Sequence, residues 1–273
     1  MKKIIDCHCH VYPDKIAEKA SVAIGEFYGI DMNYDGRLET MLADSDKAGI
    51  THSLIFSVAT KPSQTRSINE FIARTVSQNP DRFTGLGTLH PESEDLEGDV
   101  DHLISLDLRG VKLHPDIQGF KIDDYRCLKI YELCEKKGLP VLFHTGDTRY
   151  DYSNPNRIKP ILDIYKNLTV IGAHLGGYSL WEEATNALAG EPNFYVDCSS
   201  TMAFLPSDKV TELIKRYGAD KVIYGTDYPM WDIKEELERF DALGLSDEER
   251  ELILYKNAQK LFNIKLNCVE NDG

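Results

Sequence analysis

Two histidines separated by one residue lie near the start of the chain, in the run Asp6-Cys7-His8-Cys9-His10. The run follows two isoleucines, which is typical of a short buried strand, and alternate residues of a strand point to the same side. We therefore expect His8 and His10 to project from one face and the two cysteines from the other. Two neighbouring imidazoles on one face are suited to binding a metal ion.

More residues that could do chemistry stand at the ends of later apolar runs: Lys112, His114, His144, His174 and Asp227. Taken singly, each histidine could be a hydrogen-bonded structural residue, and the aspartate could begin a turn. Together, buried imidazoles and a carboxylate are costly to desolvate without a partner, and a divalent cation supplies one. A nitrogen-rich set with one carboxylate favours zinc, with iron, cobalt or manganese as alternatives.

These residues must be positioned by the elements between them, and apolar runs alternate with amphipathic segments along the chain. The runs predict strands at Lys3–Asp6, His52–Val58, Phe83–Leu89, Gly110–His114, Pro140–His144, Thr169–His174, Asn193–Cys198 and Lys221–Thr226. The segments predict helices at Leu38–Ala48, Gln64–Asn79, Asp95–Leu106, Asp124–Lys137, Pro155–Lys166, Leu180–Leu188, Ser207–Tyr217 and Lys234–Leu243, with an extra C-terminal helix at Ser246–Phe262.

Eight strand–helix units in 273 residues predict an α/β fold, a single (β/α)8 barrel domain over residues 1–273. No Gly-rich phosphate loop follows the first strand, which disfavours a dinucleotide-binding sheet. The segment Val11–Arg37 is long for a first βα loop, and we expect either a lid or wall of the substrate site or a helical insertion that caps the barrel. The carboxyl ends of the strands converge at one mouth, where active sites of this fold lie.

Composition limits the class of partner. The formal net charge is −14 and is spread along the chain, which disfavours nucleic acid and membrane surfaces as partners but leaves a small-molecule substrate open. We see no signal peptide or long apolar segment and expect a cytoplasmic protein. The six cysteines are accordingly expected to be reduced thiols.

The order of His8, His10, His144, His174 and Asp227 along the strands resembles the amidohydrolase superfamily of metal-dependent barrels. The phrases Gly-Val-Lys-Leu-His-Pro and Gly-Thr-Asp-Tyr-Pro resemble its amidohydrolase-related branch, which includes aminocarboxymuconate-semialdehyde decarboxylase-like and resorcylate decarboxylase-like enzymes and lactonases. The resemblance implies that His8, His10, His144 and Asp227 hold one metal ion, expected to be Zn2+, with His174 beside its water or the substrate. It also implies a homodimer.

Lys112 leaves three interpretations open. Dihydroorotase-like members of the superfamily carbamylate the corresponding lysine, which then bridges two metal ions. We expect one ion here and Lys112 contacting a substrate carboxylate, although a plain salt bridge is a third interpretation. His114 shares the strand face of Lys112 and is expected to contact substrate, and Arg149 is expected to meet an anionic group at the rim.

The leading hypothesis is a metal-dependent hydrolase that activates water to attack an amide, lactone or ester bond. Asp227, His174 and Lys112 are the predicted catalytic residues, with Asp227 transferring the proton. The first alternative is non-oxidative decarboxylation of a small carboxylated substrate by a metal-dependent carboxy-lyase. The second is an aldolase that forms a Schiff base on Lys112, which leaves the histidines without a role.

Overall fold

The computed structural model describes residues 3–266 and contains eight short parallel strands. They are β1 Ile5–His10, β2 His52–Phe56, β3 Phe83–Gly85, β4 Val111–Leu113, β5 Val141–Phe143, β6 Val170–Gly172, β7 Phe194–Asp197 and β8 Val222–Ile223. Strands β1–β3 form one parallel ladder and β4–β8 another. Isolated pairs between Gly87 and Val111 and between Cys9 and Tyr228 join the two ladders at both edges. Each strand thus neighbours the next and the last meets the first, so the predicted (β/α)8 barrel is confirmed.

Alternating strand residues build two apolar layers. Ile5, Leu54, Leu142 and Ile223 pack together inside the barrel, and Phe262 from the last helix closes this cluster. The residues between them face outward and pack against the surrounding helices. This division is what a sheet closed inside a ring of helices requires, since both faces of each strand are covered.

The helices lie between the strands and after the last one. They are α1 Asp14–Tyr28, α2 Leu38–Ala48, α3 Thr65–Gln78, α4 Leu96–Ser105, α5 Pro115–Gln118, α6 Leu128–Lys137, α7 Ile158–Ile164, α8 Trp181–Leu188, α9 Thr201–Phe204, α10 Ser207–Tyr217, α11 Ile233–Asp241, α12 Asp247–Glu251 and α13 Asn257–Phe262. Short 3-10 turns lie at Pro62–Gln64, Tyr125–Cys127, Pro155–Arg157 and Ala219–Lys221. Of the helices in the described range, none has the length and apolar content needed to cross a bilayer.

Strand β1 is irregular in the region that carries the two histidines. Its pairing register with β2 shifts between Asp6 and Cys9. Cys7 packs with the barrel interior, whereas Cys9 packs in the outer layer. The expectation that both cysteines share one face is therefore wrong, because a bulge interrupts the alternation of side chains that a straight strand would impose.

The long segment after β1 is a helical insertion. Helix α1 occupies most of it and ends at Gly29, whose φ of 68° terminates the helix in the left-handed conformation. At the C-terminus, the predicted helix Ser246–Phe262 is divided into α12, a π turn over Leu252–Lys256, and α13. Ser246 and Glu249 form a capping box at the start of α12. That all 273 residues form one domain stays a prediction, since residues 1–2 and 267–273 lie outside the described range.

Candidate metal centre and active site

The strand ends bring distant parts of the chain to one cavity at the barrel mouth. Seven of the eight residues predicted from the sequence line it: His8, His10, Lys112, His114, His144, His174 and Asp227. Tyr12, Tyr28 and Tyr178 add aromatic walls. Arg149 is the eighth residue and does not line this cavity.

Three of these side chains converge on one point. The Nε2 atoms of His8 and His10 are 3.3 Å apart, and Asp227 Oδ1 is 3.4 Å from the first and 3.8 Å from the second. Two imidazole nitrogens and one carboxylate oxygen at these separations match the spacing of ligands around a single divalent cation, whose bonds are about 2.0–2.2 Å long. The geometry and the donor chemistry both fit a metal ion here.

His8 is held in place from both sides of its ring. Its Nδ1 lies 2.8 Å from Asp197 Oδ2, so the buried carboxylate accepts a hydrogen bond from Nδ1–H and leaves the lone pair of Nε2 for a metal. Lys112 Nζ lies 3.1 Å from the same Nε2. Gly225 allows this packing, because a Cβ at that position would meet the His8 Cβ at 2.8 Å.

His144 lies beside the converging group but is not a member of it among the described residues. Its Nδ1 is 3.1 Å from His174 Nε2, and its ring stacks on His114 with centroids 4.2 Å apart. His174 Nδ1 lies 3.0 Å from Ser199 Oγ and 4.0 Å from Asp227 Oδ2. The structure thus places His174 between His144 and Asp227, and the metal-ligand role of His144 stays a prediction.

Asp227 connects the centre to the neighbouring loop. Its Oδ2 accepts a hydrogen bond from Ser200, which in turn accepts one from Trp231 Nε1. His174, Ser200 and Asp227 all have φ between 57° and 63°. Non-glycine residues rarely adopt this left-handed conformation, and such strain is typical of functional sites.

The protonation states favour metal binding. Burial lowers the pKa of His174 from 6.5 to about 4 and those of His10 and His144 well below 6.5. Neutral imidazole is the form that binds metal ions. Burial alone would raise the pKa of Asp227, but His8, His174, the hydrogen bond from Ser200 and the charge of Lys112 together hold the pKa of this carboxyl below its usual value.

Lys112 places a charged group inside the barrel. Its side chain is fully buried, and burial lowers its pKa from 10.5 to about 8. The ammonium lies 5.0 Å from the centre of the Phe56 ring. Because burial leaves the ammonium with few water molecules around it, it can pair with an anionic group of a substrate.

Helix α1 closes the cavity from above through Tyr28, an aromatic residue of the long segment that follows β1. Tyr28 Oη lies 2.8 Å from His114 Nε2. Arg149 binds the end of the same helix, since it donates to the Phe27 carbonyl and packs on the Tyr28 ring while paired with Asp147 at 2.7 Å. That Arg149 contacts substrate stays a prediction.

Similarity to known proteins agrees with this arrangement. A family model described as "Amidohydrolase" matches residues 5–264. The chain is 36% identical over 81 residues to a 2-amino-3-carboxymuconate-6-semialdehyde decarboxylase of Dictyostelium discoideum, an alignment that spans 28% of the chain and 22% of that protein. It is 22% identical over 254 residues to a gamma-resorcylate decarboxylase of a Polaromonas species, covering 73% of the chain and 76% of that protein.

Solved structures share the fold. An uncharacterised TIM-barrel protein of Bordetella bronchiseptica superimposes with a TM-score of 0.80 at 23% identity, covering 96% of the chain and 99% of that protein. A dihydroxybenzoic acid decarboxylase of a Polaromonas species, with bound manganese and the inhibitor 2-nitroresorcinol, superimposes with a TM-score of 0.72 at 17% identity over 96% and 97% of the two chains.

Proposed function

The chain belongs to the amidohydrolase family, and from this premise we propose that it is a metal-dependent decarboxylase of a small aromatic carboxylic acid. Family membership confirms the resemblance inferred from the strand-end residues and the prediction of an amidohydrolase-type enzyme. The order of the two hypotheses is reversed, however. The sequence favoured hydrolysis, whereas both curated relatives are decarboxylases.

The observation that carries the proposal is the convergence of His8, His10 and Asp227 beside buried Lys112. His8, His10 and Asp227 would hold a divalent cation, joined by His144 if its ring turns toward the group. When bound, the cation would fix substrate oxygens and withdraw electrons from them. Zn2+ and Mn2+ both suit this donor set, and the manganese in the Polaromonas enzyme supports testing Mn2+ first.

The remaining groups can bind the acid and move the proton. The Lys112 ammonium pairs with the substrate carboxylate, and His114 and Arg149 are the further groups that we propose to contact substrate. Asp227 takes a proton from solvent or from a substrate hydroxyl, and His174 lies 4.0 Å away to support the transfer. The bond between ring carbon and carboxylate then breaks, its electron pair stays on the ring carbon, Asp227 protonates that carbon, and carbon dioxide leaves.

Isotope labelling tests the reaction. The protein loaded with Mn2+ or Zn2+ is incubated with 2,6-dihydroxybenzoate, a resorcylate, in deuterium oxide. We expect carbon dioxide and resorcinol carrying one deuterium at the vacated carbon. Oxygen-18 from labelled water in the product of an ester or lactone substrate, without decarboxylation of any aromatic acid, would instead establish hydrolysis. Trapping of a carbonyl substrate on Lys112 by borohydride would establish the aldolase alternative.

A further inference from the structure

The cavity above the converging ligands is too small for an aromatic substrate in the conformation that the structure shows. Its volume is about 30 Å³, which is room for about two or three water molecules. An engineered protein cavity that binds benzene has about 150 Å³. The part of a substrate that extends away from the metal centre therefore needs other space.

That space is present in a cleft between helices α1 and α3. The cleft has a volume of about 560 Å³, within the usual range for ligand sites. It adjoins the small cavity, because His10, Tyr12, Ile24 and His114 line both.

The walls of the cleft are mainly apolar. Helix α1 contributes a row of residues spaced three or four apart, which is the spacing of one helix face: Ile16, Ala20, Ala23 and Phe27. Ile68 and Phe71 of α3 and Ile117 of α5 face them. Ile16 is 50% exposed although it belongs to this surface. Such a surface gains free energy by binding an apolar group.

We propose that the α1–α3 cleft is a second substrate subsite, which binds an alkyl substituent on the aromatic acid at the ring position opposite the carboxylate. The inference rests on the proposed function for the placement of the carboxylate at Lys112 and the metal centre. With the acid group held there, the opposite ring carbon points away from the strand ends. The natural substrate would then be more apolar than a dihydroxybenzoate.

Binding measurements test the subsite without relying on turnover. The probes are 2-nitroresorcinol and its 5-propyl and 5-hexyl derivatives, titrated calorimetrically into the manganese-loaded protein. We expect affinity to rise roughly fourfold for each methylene that enters the cleft. Ala20→Phe and Ala23→Phe narrow the cleft and should remove most of this gain, so that the three probes bind with similar affinity.

Val22→Phe is the matched control, because Val22 lies on the same helix, is 52% exposed and does not line the cleft. It should keep the full gain. Three outcomes would overturn the subsite. They are equal affinity of all three probes for the wild-type protein, no binding of any of them, and a loss of the alkyl gain in Val22→Phe as large as that in the alanine variants. A change of oligomeric state in Ala23→Phe would also overturn it and would identify the cleft as a contact between two copies. Failure to decarboxylate any acid, with the alkyl gain intact, would overturn the proposed function alone.

Discussion

The carboxylate of Asp197 lies 2.8 Å from Nδ1 of His8, on the side of the ring opposite to the converging Nε2 atoms. Asp197 is fully buried and also accepts a hydrogen bond from the backbone of His174. It thus fixes both the tautomer and the orientation of the first predicted metal ligand.

Asp197→Asn should therefore weaken metal binding by about 10–100-fold, because an amide does not hold the Nδ1 proton as a carboxylate does. The measurement is a competition titration of Mn2+ or Zn2+ against a chelator. Asp99→Asn is the control, since Asp99 is also buried but pairs with Arg66 on the helical layer. An unchanged metal affinity in Asp197→Asn would contradict the role.

The stacked rings of His114 and His144 allow the ligand prediction to be tested by a matched pair of variants. We expect His144→Ala to lose bound metal as strongly as His10→Ala, since both are predicted ligands. His114→Ala removes the parallel ring at 4.2 Å and should retain about one equivalent of metal. Elemental analysis after dialysis gives the stoichiometry. Retention of a full equivalent by His144→Ala would limit the protein ligands to the three that converge in the structure.

The sequence predicts where most residues of the candidate site lie, because each of them stands at the end of a strand. His8, Lys112, His174 and Asp227 each end an apolar run, and a parallel barrel sends all such ends to one mouth. Asp197 also ends a predicted strand, but an aspartate in that position has no local signal that distinguishes a partner of His8 from a turn residue. Its place at a strand end makes a supporting role beside the metal ligands possible, but that it supports His8 became visible only with the distance between two strands that are remote in sequence.

Other features depended on irregular backbone, for which sequence periodicity has no signal. The bulge in β1 separates Cys7 from Cys9, although a straight strand would place them together. Tyr28 was visible as an aromatic in a long segment, but its contact with His114 requires α1 to fold back over the mouth. The order of the strand-end residues along the chain therefore predicted the metal centre better than it predicted the residues that line the cavity around it.

Asp227 is expected to be the residue whose loss stops turnover. Asp227→Asn keeps the size of the side chain and its contact with Ser200, but the amide cannot carry the proton to the ring carbon. We expect the rate to fall by at least about 10³-fold while the far-ultraviolet spectrum and melting temperature remain close to those of the wild type. Near-normal turnover by Asp227→Asn would remove it from the mechanism.

Glu236 on α11 should make stability depend on pH. Its side chain is fully buried, Arg239 Nη1 lies 2.6 Å from Oε1, and Oε2 has no hydrogen-bond partner among the described residues. Burial raises the pKa of this carboxyl from 4.5 to about 7. Between these values the folded chain holds a proton that the unfolded chain has released, so the free energy of unfolding falls as pH rises from about 4.5 to 7.

The size of this effect is up to about 3 kcal/mol, from the change in pKa. Glu236→Gln has no proton to lose at this position. Relative to the wild type, its free energy of unfolding should therefore increase as pH rises from 5 to 8. Urea unfolding at a series of pH values measures that difference. Glu235→Gln, which removes the exposed partner of the same Arg239, should show no such shift. A difference between Glu236→Gln and the wild type that is constant from pH 5 to 8 would show that Glu236 is already ionised in the folded protein.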